Sequence, residues 1–187
     1  SLDATTTGSS NAAVGMSSLG ANTTGSNNVA IGFETLYLNT TGSGNTAIGN
    51  KALYSGTHGS NTAVGYGSME ATTSGYANVA LGYESLDTNT TGYQNTAIGA
   101  MALDANTTAS YNVAVGYRGL LTNTTGEGNT TIGTESLRSN ETGEYNTAAG
   151  YNALYNNTTG ALNTAVGKDA LKANTSGGTN TAIGMRA

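Results

Sequence analysis

The sequence predicts an all-β protein, a parallel β-solenoid (β-roll) of about eleven coils with 17 residues each. Three observations predict this fold. An Asn-x-Ala-aliphatic-Gly signature, or a close variant of it, recurs eleven times, and nine of the ten intervals are 17 residues long. Such a unit is too short for the helix pairs of helical repeats, which need roughly 33–47 residues. An Asn-Thr-Thr-Gly block, typical of a turn, ends half of the units, and most of the others end in a close variant of it.

The repeat runs without a linker, so we expect one continuous β-solenoid domain over residues 1–187 with partial coils at both ends. Positions in the unit are numbered here from its Asn. Position 3 is Ala in ten of eleven units, position 4 is aliphatic, position 5 is always Gly, and position 9 is Leu or, once, Met69. The units begin at Asn11, Asn28, Asn45, Asn61, Asn78, Asn95, Asn112, Asn129, Asn146, Asn163 and Asn180.

Each part of the unit has an expected structure. The Thr-Ala-Ile segment is expected to form a strand, and Gly at position 5 permits a bend after it. The segment around Leu at position 9 is expected to form a second strand. Asn-Thr-Thr-Gly is expected to form a turn in which Gly supplies a positive φ. A strand spacing of about 4.8 Å then gives a rod on the order of 50 Å long, and Asn at positions 1 and 12 is expected to form amide ladders between coils.

The direction of the side chains at positions 3 and 4 decides which surface is available for contact. Successive strand side chains point to opposite faces, so we expect the larger aliphatic residue to fill the coil and the Ala ladder to face outward. An outward Ala stripe favours close contact with another chain; the alternative is a tight corner in which only Ala fits. The Ala residues predicted to take part in self-association are Ala30, Ala47, Ala80, Ala97, Ala114, Ala165 and Ala182.

The two ends of the chain match complementary parts of the unit. Residues 1–10 correspond to positions 8–17, and residues 180–187 correspond to positions 1–8. We therefore expect either that coils stack head to tail through these ends or that the chain is cut from a longer solenoid. The end residues predicted to take part are Leu2, Thr6, Gly8, Ile183 and Gly184.

Composition excludes several functions. Only 9% of residues are charged and the net charge is −5, which argues against nucleic acid, since that partner requires clustered Lys and Arg. No apolar run approaches the roughly 20 residues of a membrane-spanning helix, so membrane insertion is not expected. The chain has no Cys and a single His, His58. We predict no catalytic residue, no cofactor and no metal site, and the low charge favours an extracellular or cell-surface location.

Two further patterns leave alternatives open. The 11 Tyr all fall at positions 6, 10, 16 and 17, where they either bind sugars or another fibre, or stack between coils and cover the core edge. Repeated Asn-Thr-Thr blocks are glycosylation acceptors in a eukaryotic secretory route, or simply turns. Regular Thr arrays also suggest ice binding, although the most regular Thr pairs lie at a turn and not on a strand.

The Asn-Thr-Ala-Ile-Gly blocks at residues 45–49, 95–99 and 180–184, together with Asn-Thr-Thr-Gly, carry a resemblance to known proteins. They resemble the head repeats of trimeric autotransporter adhesins and the Asn-Thr-Thr-Gly-rich repeats of bacterial and phage tail-fibre-like surface proteins. The resemblance covers essentially the whole chain. It implies left-handed β-rolls that trimerise along one face, with the Ala face toward the trimer axis, and that bind host matrix or other surfaces.

These observations predict an extracellular structural or adhesive fibre protein, and not an enzyme. Its expected partner is itself, in a head-to-tail filament or a homotrimer, with surface glycans or matrix as further partners. The alternative is a soluble repeat module that binds glycans or ice.

Overall fold

The structure is a computed structural model that describes residue 4 and residues 6–187. Within these residues the chain forms one parallel sheet of eleven three-residue strands in sequential order, and no helix occurs. The parallel β-solenoid is therefore confirmed. The strands are β1 (Ala12–Val14), β2 (Val29–Ile31), β3 (Thr46–Ile48), β4 (Thr62–Val64), β5 (Val79–Leu81), β6 (Thr96–Ile98), β7 (Val113–Val115), β8 (Thr130–Ile132), β9 (Thr147–Ala149), β10 (Thr164–Val166) and β11 (Thr181–Ile183).

Each coil contains one strand, at positions 2–4, and not the two that were predicted. Leu at position 9 lies in a turn, with φ between 46° and 56° across the ten units. Left-handed φ is uncommon for a residue with a branched side chain and costs roughly 1 kcal/mol. The coil-to-coil hydrogen bonds hold it there: the Leu86 N–H, for example, donates to the Ala102 carbonyl of the next coil at 2.9 Å.

The coil interior is formed by the smaller residue of the strand. Ala at position 3 is buried in every coil between the two end coils that has it, as at Ala97, whereas the position-4 residues Ile31 and Leu81 are 40% and 47% exposed. The prediction that the Ala ladder faces outward is therefore wrong. The alternative of a tight corner agrees with the structure, because this narrow coil also holds Leu, two Asn and a small residue at position 8. Thr131 is the one larger residue at position 3, and it is buried as well. Ala30, Ala47, Ala80, Ala97, Ala114 and Ala165 are buried and Ala182 is half-buried, so none lines a lateral contact surface.

Two ladders of buried Asn connect the coils, as predicted. In the position-1 ladder, the Asn129 N–H and Nδ2 donate to Asn112 Oδ1 at 2.9 and 3.3 Å. In the position-12 ladder, Asn106 Nδ2 donates to Asn89 Oδ1 at 2.9 Å. Both ladders also reach the carbonyl of position 15: Asn112 and Asn123 donate to the Gly126 carbonyl at 3.0 Å each. The side-chain amides thus donate hydrogen bonds to the buried carbonyl groups of the turn.

The glycines at position 5 and at position 15 of the unit are favoured for different structural reasons. Gly99, at position 5, has φ of 132°, and an added Cβ would lie 2.5 Å from the Gly116 carbonyl oxygen, so the bend predicted there is confirmed. The turn glycines, such as Gly126, do not have a positive φ, which corrects the prediction for them. At Gly126 the reason is space, because an added Cβ would lie 2.3 Å from the Gly143 carbonyl oxygen in the next coil. One coil has Ala109 at this position, so the turn accommodates a Cβ only when it shifts locally.

The 16-residue coil, residues 45–60, interrupts the position-12 ladder. Gly56 and Thr72 occupy position 12 in two successive coils. Consequently the buried Asn39 Oδ1 and Thr72 Oγ1 have no hydrogen-bond partner. The deletion lies in the turn, where the His58 carbonyl accepts the Asn45 Nδ2 bond at 2.9 Å that a turn glycine accepts elsewhere. The position-1 ladder passes through this coil without a break.

Candidate interaction surface

The outward side of the sheet is a continuous apolar and hydroxyl surface, here called the strand face. It consists of the side chains at positions 2 and 4 of all eleven strands. Position 2 is Thr in seven coils, and otherwise Val or Ala; position 4 is Val, Ile or Leu in ten coils and Ala in one. Val14, Ile132 and Ile183 are 62%, 55% and 73% exposed. A folded chain rarely leaves so many β-branched side chains in water on one surface without a binding role.

The strand face carries no charge, because the charged residues lie elsewhere. Among the described residues, seven charged side chains stand at position 7 and five at position 10, which belong to the turns beyond the strand. Ion pairs form within that edge, between Lys51 and Glu70 at 3.5 Å and between Lys172 and Asp169 at 3.1 Å. The net charge of −5 therefore does not oppose contact through the strand face directly.

Carboxylates accumulate on the charged edge in the middle of the rod. Glu70, Asp87 and Asp104 occupy position 10 of three successive coils, and Glu84 lies beside them at position 7. Partial burial, followed by repulsion from Asp104, Glu70 and Glu84, raises the pKa of Asp87 to about 6. Burial, and then Glu84, raises the pKa of Asp104 in the same direction. In the described part of the chain, no group of three or more His, Asp or Glu is arranged to hold a metal ion.

The stability of the rod is expected to depend on the protonation of Asp87. Its folded-state pKa lies above the ordinary value, so protonation favours the folded chain, and stability is lost as the pH rises through about 6. Lowering the pH from about 7.5 to about 5 is expected to raise the free energy of unfolding by roughly 0.5–1 kcal/mol, after allowance for solvent screening of the half-buried carboxyl.

Denaturant titrations of the parent and of Asp87→Asn at both pH values measure this effect. The variant is expected to lose most of the pH dependence while its stability near neutral pH rises. The same pH dependence in both chains would show that Asp87 does not carry it.

The end residues predicted for head-to-tail contact differ in whether they are already hydrogen-bonded within the chain or exposed. Leu2 lies outside the described residues. The N–H groups of Thr6 and Gly8 donate to the Thr23 carbonyl of the next coil at 3.0 and 3.2 Å. Ile183 and Gly184 lie in the last coil and are exposed. Axial stacking through these residues stays a prediction.

The Asn-Thr-Thr blocks serve the turn and its stacking. The Asn residues at position 12 are buried and hydrogen-bonded, for example Asn123 to Asn106 Oδ1 at 3.2 Å, so an attached glycan does not fit there. Thr at position 13 bonds the next coil, as Thr90 Oγ1 does to the Thr107 carbonyl at 2.9 Å. The protons of these hydroxyl groups are therefore donated to the protein backbone.

Tyrosines border the strand face on both sides. Tyr66 and Tyr83, at position 6, stack with their ring centroids 5.6 Å apart. Tyr76 and Tyr93, at position 16, stack at 5.0 Å, and the Tyr111 ring meets Tyr93 edge-on at 5.1 Å. The predicted stacking between coils is thus present, yet Tyr66, Tyr76, Tyr83 and Tyr111 remain 46–51% exposed.

Comparisons with models of protein families, with curated proteins and with solved structures gave no match. The resemblance to adhesin heads and tail-fibre repeats accordingly stays a prediction. Among the described residues, no helix has the length and apolarity needed to cross a membrane.

Sequence reasoning missed the strand face, although the sequence contains a signal for it. Positions 1 and 3 share one side of a strand, and positions 2 and 4 share the other. A buried Asn ladder at position 1 therefore places Ala at position 3 inside the coil. The seven Thr at position 2 indicate the same orientation, since hydroxyl side chains are found more often at the surface than in an apolar interior.

Proposed function

We propose that this chain is a structural or adhesive segment of an extracellular fibre that associates side by side with copies of itself through the strand face. The observation that carries the proposal is the uncharged strand face, which runs unbroken over eleven strands with aliphatic side chains exposed. The proposed role is mechanical and adhesive, and not catalytic.

The size of the strand face fits a contact between protein chains. Eleven strands about 4.8 Å apart, each about 10 Å long, cover roughly 500 Å². A stable interface buries about 800 Å² on each partner. The strand face alone is smaller than that, and the half-exposed Tyr residues at positions 6, 16 and 17 widen it on both sides. Tyr is enriched at interfaces between proteins.

A second copy of the chain is the partner that fits best. Aliphatic side chains repeat along the rod once per coil, at the spacing of the strands. Only a surface with the same repeat contacts them equally at every coil, and another copy supplies that surface. The interior also favours a partner, because each coil buries only one Leu or Met besides small and polar residues, so the exposed aliphatic row is a large part of its apolar content.

Two charges placed on the strand face test this function. The double variant Leu81→Glu and Ile132→Glu is expected to be monomeric at concentrations where the parent is associated, because burying an unpaired carboxylate costs several kcal/mol. The control is Thr91→Glu with Thr142→Glu, which adds the same charge at exposed turn positions of the same two coils.

Size-exclusion chromatography with light scattering measures the mass of each chain, and denaturant titration verifies that each one folds. The control is expected to associate as the parent does. Association of the strand-face variant at parental strength would contradict the proposal.

Ice binding is a second candidate, favoured by one observation. Seven Thr stand at position 2 of a regular parallel sheet, beside a row of aliphatic side chains at position 4. If the parent chain is monomeric and inhibits ice recrystallisation, and Leu81→Glu with Ile132→Glu abolishes that activity, this candidate replaces the first.

A further inference from the structure

The Tyr residues at positions 6, 16 and 17, here called the Tyr rows, differ from coil to coil, whereas the strand face is nearly the same in every coil. The strand face repeats every coil, so a copy displaced by one coil would meet nearly the same surface, and its register is weakly specified. Tyr is not repeated in every coil. The residues next to a strand that break the repeat are therefore the ones able to specify how two copies align.

Three strands have Tyr on both sides. β5 lies between Tyr76 and Tyr83, β7 between Tyr111 and Tyr117, and β9 between Tyr145 and Tyr151. All six side chains are 42–58% exposed although each is a large, mostly apolar group. The Tyr that follows each of these strands stands at position 6, and the Tyr that precedes it stands at position 16 or 17.

The orientation of two copies decides which Tyr rows meet. Copies related by a rotation axis along the rod are parallel, and such an axis brings the side that precedes the strands against the side that follows them. Copies related by an axis across the rod are antiparallel, and like sides then meet. Only the parallel arrangement brings position 6 of one copy to positions 16 and 17 of the next at the same strand.

We infer that copies of the chain associate in parallel and in register, with Tyr83, Tyr117 and Tyr151 of one copy packing on Tyr76, Tyr111 and Tyr145 of the neighbouring copy. This inference rests on the proposed self-association through the strand face. In register, three of the four position-6 tyrosines meet a Tyr of the neighbour; after a shift of one coil, at most two do. A shift of two coils again pairs three, but it removes two of the eleven strands from the contact.

Cross-linking of single-cysteine chains tests the orientation, since the described chain contains no Cys. Tyr111→Cys and Tyr117→Cys are prepared separately and are also unfolded and refolded together. Treatment with a short bifunctional maleimide is expected to link the mixed sample into dimers with one chain of each kind. Each variant alone is expected to give less than a tenth of that yield.

Two controls separate the possible outcomes. Ala100→Cys places the thiol at position 6 of the central coil, where full-overlap antiparallel copies would link to themselves. The mixture of Tyr111→Cys with Tyr151→Cys places the thiols two coils apart, about 10 Å further along the rod, and is expected to link several-fold less than the first mixture.

Self-linking of Ala100→Cys, or equal yields from the two mixtures, would overturn the inference even if the chain associates. The absence of cross-links in associated chains whose thiols react with a monofunctional maleimide would do so as well. A monomeric parent chain would instead refute the proposed function on which the inference depends.

Discussion

Replacement of Asn112 by Ala is expected to lower the free energy of unfolding by about 3 kcal/mol. Asn112 Oδ1 accepts the backbone N–H and the Nδ2 of Asn129, and its own Nδ2 donates to the Gly126 carbonyl at 3.0 Å. All these groups are buried, so water does not replace the lost bonds without opening the coil. The Asn129 N–H loses its only partner, which carries the cost of an unsatisfied buried donor.

The matched control is Asn156→Ala, because Asn156 is exposed at position 11. Its effect is expected to lie within about 0.5 kcal/mol of the parent, as for most surface substitutions. Both variants are compared by denaturant titration at one protein concentration, since self-association adds to the apparent stability. A loss below about 1 kcal/mol for Asn112→Ala would contradict the role given to the ladder.

Replacement of Leu86 by Ala is expected to cost about 2–5 kcal/mol. Leu86 is fully buried between Met69 and Leu103, the equivalent residues of the adjacent coils. The coils on either side are held at the strand spacing by backbone hydrogen bonds, so the structure closes the resulting cavity poorly. The loss is therefore expected in the upper half of that range.

Leu162→Ala is the control for this change, since it removes the same atoms. Leu162 also has a left-handed φ, 60° against 53° for Leu86, but its side chain is 58% exposed. Any effect of Ala on a left-handed turn is common to both variants, and the difference reports burial. Equal losses measured by denaturant titration in the two variants would contradict a core made by the Leu column.

Much of the fold was predictable because the same residues recur in each coil and therefore make the same local interactions. The constant interval between Asn residues predicts parallel strands in a register of 17, and pairs such as Ala80 with Ala97 confirm it. The Asn ladders and the bend at position 5 follow from amide hydrogen bonding and from glycine's tolerance of positive φ. Each is decided by local chemistry that is the same in every coil.

The errors arose where local preference and tertiary structure disagree. Strand alternation predicts that Ala97 and Ile98 point to opposite sides, but not which side is the interior. Size favoured Ile98, whereas the narrow coil admits only Ala97. The second strand expected around Leu103 is a turn in the structure, with φ of 54°, which Leu rarely adopts, and the hydrogen bonds between coils hold it there.

The break in the position-12 ladder is of another kind. The sequence shows that the ladder Asn is replaced, but not which buried atom loses its hydrogen-bond partner. Gly56 and Thr72 are visible as departures from the repeat. The resulting lack of a partner for Asn39 Oδ1 becomes visible only when the coils are stacked. A side chain at Gly56 would also meet Leu53, whose Cγ would lie 2.7 Å from the added Cβ.

The mass of the unchanged chain in solution tests the central claim most directly. Sedimentation equilibrium over a hundred-fold range of concentration distinguishes a monomer of 18.6 kDa from its multiples. Association through the strand face predicts a defined multiple of that mass, which Leu81→Glu with Ile132→Glu reduces to 18.6 kDa. A single species of 18.6 kDa at every concentration would contradict it.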